Sequence, residues 1–301
     1  MVGDRQARKA PHGPRGGARA GGLSASGRGA LLRRGAAPAK INLALVVGPR
    51  NANGKHELLT VYQRIALADR IAVSRSARLR VDGFPDDTLV REALLCIANG
   101  GATSFTARIT KRIPVAGGLG GGSSDAATAL ALANELREEP FPPGQLDRFA
   151  AELGADVPFF LRDGPQLGSG DGTTLEALEL PQDYWVLLVL PHDAWKRSTA
   201  DVYAAFDARR GAEGYEGRRR ALLDSLGEVR RPRDLAALPP NDLAQSPLAD
   251  ELRALGAFRA DVTGAGPAVY GLFLHGERAR TAAKRISPKG RTWLTAPAWY
   301  R

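Results

Sequence analysis

Apolar and polar positions alternate with period two over 41–47, with Ile41, Leu43 and Leu45 on one face, and this predicts a strand. A Pro/Asn/Gly turn follows at 48–54, then strands over 58–66 and 70–74 and a short one at 79–81. Residues 89–97 set Leu94, Leu95 and Ile97 at helical spacing, and Gly100-Gly101 stops that helix. A strand at 104–109 leads to a glycine-rich loop at 114–124. An Ala/Leu-rich helix at 124–136, a second at 146–153 and a short apolar segment at 156–161 complete the first half.

In the second half, 184–190 is a nearly continuous apolar strand. Helices follow at 199–208, 214–226 and 248–255. Strands at 258–262 and 269–273 flank the loop 263–267, and a helix at 277–284 precedes a last strand near Thr292. Strands and helices mix without a regular βαβ repeat, so the predicted class is a two-lobed, layered α+β fold. The pattern weakens at the start: 1–35 is Gly/Arg/Ala/Ser-rich with few large apolar residues and is expected to be disordered.

Charge and cysteine change this picture little. Of the net +10, +7 belongs to residues 1–37, so the rest is only mildly basic. A basic tail attracts polyanions but reads no sequence, and no specific nucleic-acid partner is expected. No apolar run reaches membrane-span length; a cytoplasmic protein with no membrane partner is expected. Cys96 is the single cysteine and sits among apolar neighbours, which suggests packing, and no zinc-ligand spacing is present.

The densest chemical signal is 114–124, Pro-Val-Ala-Gly-Gly-Leu-Gly-Gly-Gly-Ser-Ser, in which five of eleven residues are glycine. Such a run weakens regular structure but lets main-chain N–H groups approach an anion closely. The helix that follows adds free N-terminal amides. A linker would lack the flanking strand and helix. No Lys-Ser/Thr closes the glycines, so the loop is not a P-loop, and no dinucleotide-type acid follows. Ser124 is the expected magnesium-facing hydroxyl. Lys111 or Arg112 at the loop mouth either touches a nucleotide or is solvated.

Two further constellations carry charge. Lys40 and Asn42 share one strand face opposite Ile41 and Leu43, which places them at a solvated edge or in a cleft. Asp156 opens the run Asp-Val-Pro-Phe-Phe, as a turn carboxylate or as an acid facing a reacting group. A lysine beside that acid would keep it ionised and oriented.

Together, PAKINL at 38–43, GKHELLTVYQ at 54–63, PVAGGLGGGSSDAA at 114–127, LGADVPFF at 153–160 and VTGAGPAVYGLF at 262–273 resemble the GHMP kinase superfamily. Within it they are most similar to the 4-diphosphocytidyl-2-C-methyl-D-erythritol kinase family of non-mevalonate isoprenoid synthesis. The resemblance implies an N-terminal α+β domain over 38–175 and a ferredoxin-like C-terminal domain over 176–301, behind a tail at 1–37. It implies phosphorylation of the substrate 2-hydroxyl by ATP and Mg²⁺. Asp156 would be the base and Lys40 its partner. Asn42, His56, Thr263 and Gly264 would meet the cytidyl alcohol. Lys111, Pro114, Gly117, Gly118, Gly120, Gly121, Gly122, Ser123 and Ser124 would meet the nucleotide.

The chain departs from that pattern at Lys55, where the family has an aromatic residue before the histidine, and at Thr88, where an asparagine is common. Tyr184, Trp185 or Trp195 could replace the missing ring. Other readings stay open: a GHMP-type kinase for another alcohol, such as a mevalonate- or homoserine-type enzyme, or a nucleic-acid-binding or regulatory protein acting through its basic tail. A homodimer is also left open.

Overall fold

The structure, a computed structural model, describes residues 31–98, 104–193 and 198–298. Two antiparallel-rich sheets carry the fold. The first contains β1 (Leu32–Arg50), β2 (His56–Ser76), β3 (Arg80–Asp82), β4 (Ser104–Thr110), β5 (Gln166–Gly170) and β6 (Thr174–Ala177), in the order β3-β4-β2-β5-β6 with β1 also paired to β2. The helices α1 (Leu89–Ala98), α2 (Gly121–Glu135) and α3 (Pro143–Leu153) belong to this half. Leu94 and Ile97 of α1 and Leu130 and Ala133 of α2 join Val73 and Phe105 of the sheet in one buried cluster.

The second sheet contains β7 (Trp185–Pro191), β8 (Arg259–Val262), β9 (Val269–Phe273) and β10 (Gly290–Thr295), in the order β10-β7-β9-β8. Between β7 and β8 lie α4 (Thr199–Ala208), α5 (Tyr215–Glu228) and α6 (Pro247–Ala254), and α7 (Gly276–Ile286) links β9 to β10. Counted within this half, the strands run in the spatial order four-one-three-two with a βαββαβ connection, the ferredoxin-like arrangement. Its core joins Leu187 and Val189 to Leu252, Ala279 and Ile286. The sheets are stitched together where Ala66 N–H donates to the Ala296 carbonyl and Ala298 N–H to the Arg64 carbonyl, both at 2.9 Å.

The two strands expected at 58–66 and 70–74 are one strand, β2. Asp69 lies buried in its middle and broke the apolar pattern. The Gly- and Ser-bearing β5 and the polar β6 were not anticipated. The boundary expected at 175/176 falls inside β6, which pairs with β5. The tail expected through residue 37 needs a correction at its end. Leu32 to Ala37 already belongs to β1, pairing with 69–74 of β2, and Gly35 packs against Thr128 and Leu132 of α2. The rest of that expectation, with Gly100-Gly101 and Trp195, lies outside the described residues. Cys96 is half-buried against the first core, as a packing residue. Among the described residues, no helix is long and apolar enough to cross a membrane.

Candidate active site

Lys40 and Asn42 sit on β1 in a cleft, not at a solvated edge, with only 4% and 3% of their surfaces exposed. Such burial requires polar partners. The Lys40 ammonium donates to Asn42 Oδ1 at 2.8 Å and lies 3.4 Å from Asp156 Oδ2. The amide of Asn42 continues the chain, donating to Thr60 Oγ1 at 2.8 Å, and Thr60 donates to the Ala44 carbonyl. On the other side of Asp156, the Tyr62 hydroxyl donates to Oδ1 at 3.1 Å. Burial, reinforced by that carboxylate, pushes the Tyr62 phenol well up, so it stays protonated as a donor. Both oxygens of Asp156 are therefore oriented, and the acid still opens into a cavity.

The glycine loop wraps against this centre. Lys40 N–H donates to the Leu119 carbonyl, and Ala268 N–H donates to the Gly117 carbonyl. Gly118 has φ +77°, and a Cβ there would lie 2.5 Å from the Thr263 carbonyl oxygen; at Gly120, φ +68°, it would strike the Phe160 ring and the Lys40 side chain. Only glycine permits these approaches. Helix α2 starts three residues earlier than expected. Its first intrahelical bond runs from Ser124 N–H to the Gly120 carbonyl, so the amides of Gly121, Gly122 and Ser123 precede it as anion donors.

Two cavities meet at this loop. One, of about 700 Å³, is lined by Lys40, Asn42, His56, Tyr62 and Asp156 and reaches Gly264 and Gly266. The other, of about 260 Å³, runs along Pro114 to Ser123 and ends at Phe84 and Leu89. Ala116, Gly118, Gly120 and Ser123 line both.

Three expected residues take other places. Ser124 is fully buried and lines neither cavity, whereas Ser123 lines both. Consecutive helical residues point about 100° apart, so Ser123, not Ser124, presents its hydroxyl. Thr263 is fully buried and joins β1 to the loop, accepting from Asn42 N–H at 3.1 Å. Lys111 lies along the second cavity, but its ammonium is clasped by Asp69 at 2.6 Å and Asp125 at 2.8 Å. Asp69 also accepts from the Arg112 and Ile113 amides, so this cluster fixes both ends of the loop. Burial pushes the Asp125 carboxyl up to about 7 despite Lys111.

His56 is buried at the far end of the larger cavity. Its Nδ1 is 2.7 Å from the Gly48 carbonyl, which can only accept, so Nδ1 carries a proton. Nε2 lies 3.2 Å from Asp207 Oδ1. Asp207 also accepts from Arg50, which, with His56, holds its carboxyl below the usual range. The ring stacked on His56 is Tyr203 of α4, at 5.1 Å between centroids. Tyr184 is buried in the core, and Trp185 stands on β7 beside Arg280. Neither lines the cavity. Tyr203, Tyr62, Phe84 and Leu89 were missed by sequence reasoning. Only Tyr62 carried a signal, since it follows His56 and Thr60 at period two on one strand face.

A glycine loop over a helix N-terminus, an oriented acid with a lysine and a ferredoxin-like second sheet define a small-molecule kinase architecture. Family models for the GHMP kinases N terminal domain and the GHMP kinases C terminal match residues 88–164 and 233–291. The chain belongs to the GHMP kinases. It is 38% identical to the 4-diphosphocytidyl-2-C-methyl-D-erythritol kinase of Moorella thermoacetica, over 82% of this chain and 92% of that one. It is also 38% identical to the enzyme of the same name from Pelobacter propionicus, over 87% and 96%. A crystal structure of 4-(cytidine 5'-diphospho)-2C-methyl-D-erythritol kinase superposes with TM-score 0.72 at 30% identity, covering 88% of this chain and 99% of that one. A homoserine kinase from Cytophaga hutchinsonii, at 15% identity and TM-score 0.67, shares the fold.

Proposed function

We propose that this kinase transfers the γ-phosphoryl group of ATP to the 2-hydroxyl of 4-diphosphocytidyl-2-C-methyl-D-erythritol. The observation that carries the reading is the junction of the two cavities, where Asp156, tied to Lys40 and Tyr62, stands beside the loop residues common to both. The triphosphate lies along the glycine loop, with the adenine toward Phe84 and Leu89. The acceptor lies in the larger cavity with its hydroxyl on Asp156.

Phosphoryl transfer needs in-line positioning and compensation of charge more than covalent help. As the acceptor oxygen attacks the γ-phosphorus, its proton passes to the Asp156 carboxylate and the bond to the β-bridging oxygen breaks, releasing ADP. The Lys40 ammonium, held beside the acid, offsets charge on the transferred group. Tyr62 holds the carboxylate in place. The loop amides take the phosphate oxygens. Among the described residues, no cluster of three or more His, Cys, Asp or Glu could hold a metal. The residues present fit a Mg²⁺ ion carried mainly by the nucleotide, with the Ser123 hydroxyl as protein contact. That ion would neutralise phosphate charge.

The cytidyl assignment draws support from the relatives and from the far end of the cavity. There Tyr203 offers an aromatic face, braced by its stack on the buried His56, an arrangement suited to a pyrimidine. Both cavities are built by a single copy of the chain, and the reading requires neither nucleic acid nor a second subunit. The test compares kcat/KM for the cytidyl substrate with that for bare methylerythritol. A preference well above tenfold, about 1.4 kcal/mol, is expected; a smaller one would remove the cytidyl assignment and leave a kinase of another alcohol.

A further inference from the structure

The hairpin joining β1 to β2 sets an unusual cation on the acceptor cavity. Lys55 lines it immediately before His56, and its side chain is 64% exposed. Its ammonium donates to Asp171 Oδ2 at 2.8 Å. Asp171 belongs to the turn between β5 and β6 and accepts from the Thr173 hydroxyl at 2.6 Å, which holds the carboxylate in position. The next residue, Gly172, closes on the reacting end: a Cβ there would lie 3.1 Å from the Tyr62 hydroxyl, the group that donates to Asp156. The Lys55–Asp171 pair thus lies along the wall between the base-recognising end at His56 and the acid at Asp156.

The reading above places a diphosphate between a pyrimidine and an alcohol. Resting on that reading, we propose that Lys55 is a specificity-determining residue that binds the diphosphate of the acceptor while staying paired with Asp171. Three facts support it. An ammonium has three donors, and the pair with Asp171 uses one. The other cations on this cavity have stronger commitments: Lys40 is buried on Asn42 and Asp156, and Arg50 makes two bonds to Asp207. Finally, a bare carboxylate at 171 would repel an anionic linker, so a cation is required there for the diphosphate to pass. This chain thus grips the phosphates with charge at 55 and draws its ring from Tyr203.

The test uses the full-length enzyme with its nucleotide site filled by a non-hydrolysable ATP analogue. Affinities for cytidine 5′-diphosphate and for cytidine are measured by calorimetry, and KM and kcat for the cytidyl alcohol by turnover. Lys55→Met is expected to cut the preference for the diphosphate over the nucleoside about tenfold and to raise KM similarly, with kcat much less affected. Lys55→Arg should keep most of the preference. The double variant Lys55→Met with Asp171→Asn should stay impaired, because removing the acid does not restore a phosphate donor. A Lys55→Met variant with the wild-type preference would overturn the proposal. Full rescue by Asp171→Asn would also overturn it, since Lys55 would then only screen the acid. Absence of turnover by the wild type would instead strike the cytidyl reading itself, which the binding ratio does not measure.

Discussion

The two ends of the reaction cleft use charge in opposite ways. At the nucleotide end, Asp69, Lys111 and Asp125 are packed under the glycine loop, with both carboxylate side chains fully buried. At the acceptor end, Lys55–Asp171 stands at the surface of the cavity with a largely exposed cation. A buried ion pair is hard to break, because removing one partner strands the other in a poorly solvated place. An exposed pair exchanges partners at little cost. Charge under the loop therefore fixes backbone, and charge along the wall remains open to a substrate. Lys111, expected from sequence to meet the nucleotide, illustrates the first use; Lys55 illustrates the second.

Three measurements probe this contrast, and the largest effect lies on the buried side. Lys111→Met leaves two buried acids without their cation and is expected to lower unfolding free energy by about 3–5 kcal/mol. Lys55→Met should cost less than about 1 kcal/mol. Chemical denaturation of both variants checks the pair; equal losses would erase the distinction. A further effect concerns pH. The folded-state value of Asp125, about 7, lies above its unfolded value. The folded protein thus binds more protons than the unfolded chain between about pH 4 and 7, and this group's contribution to stability falls as pH rises through that window. Lys111, itself raised, stays charged throughout it. Wild type should lose stability relative to Asp125→Asn from pH 5 to 7, by at most about 1.4 kcal/mol per pH unit. A difference independent of pH would contradict the placement of that proton.

Much of the nucleotide end was legible in the chain, because its chemistry is local. The glycine run, the helix after it and the acid at 156 each lie within a few consecutive residues. The acceptor end was less legible because it is assembled from distant segments. His56 meets Tyr203 across 147 positions, and Lys55 meets Asp171 across 116. No pattern within a window shows such pairs. Buried polar residues hid structure as well. Asp69 interrupted β2 in the pattern although it serves as the anchor for the Arg112 and Ile113 amides. The chain shows two adjacent hydroxyls at 123 and 124 but not where the helix begins, so it does not tell Ser123 from Ser124. Once Gly121 is the first helical residue, the orientation of each follows.

Everything turns on one acid, Asp156, oriented by Lys40 and Tyr62 where the two cavities join. Turnover and ATP affinity of Asp156→Asn test it most directly. In that variant kcat is expected to fall by at least about a hundredfold with nucleotide binding retained, since the loop and its buried clasp are untouched. Turnover near the wild-type rate in that variant would contradict it.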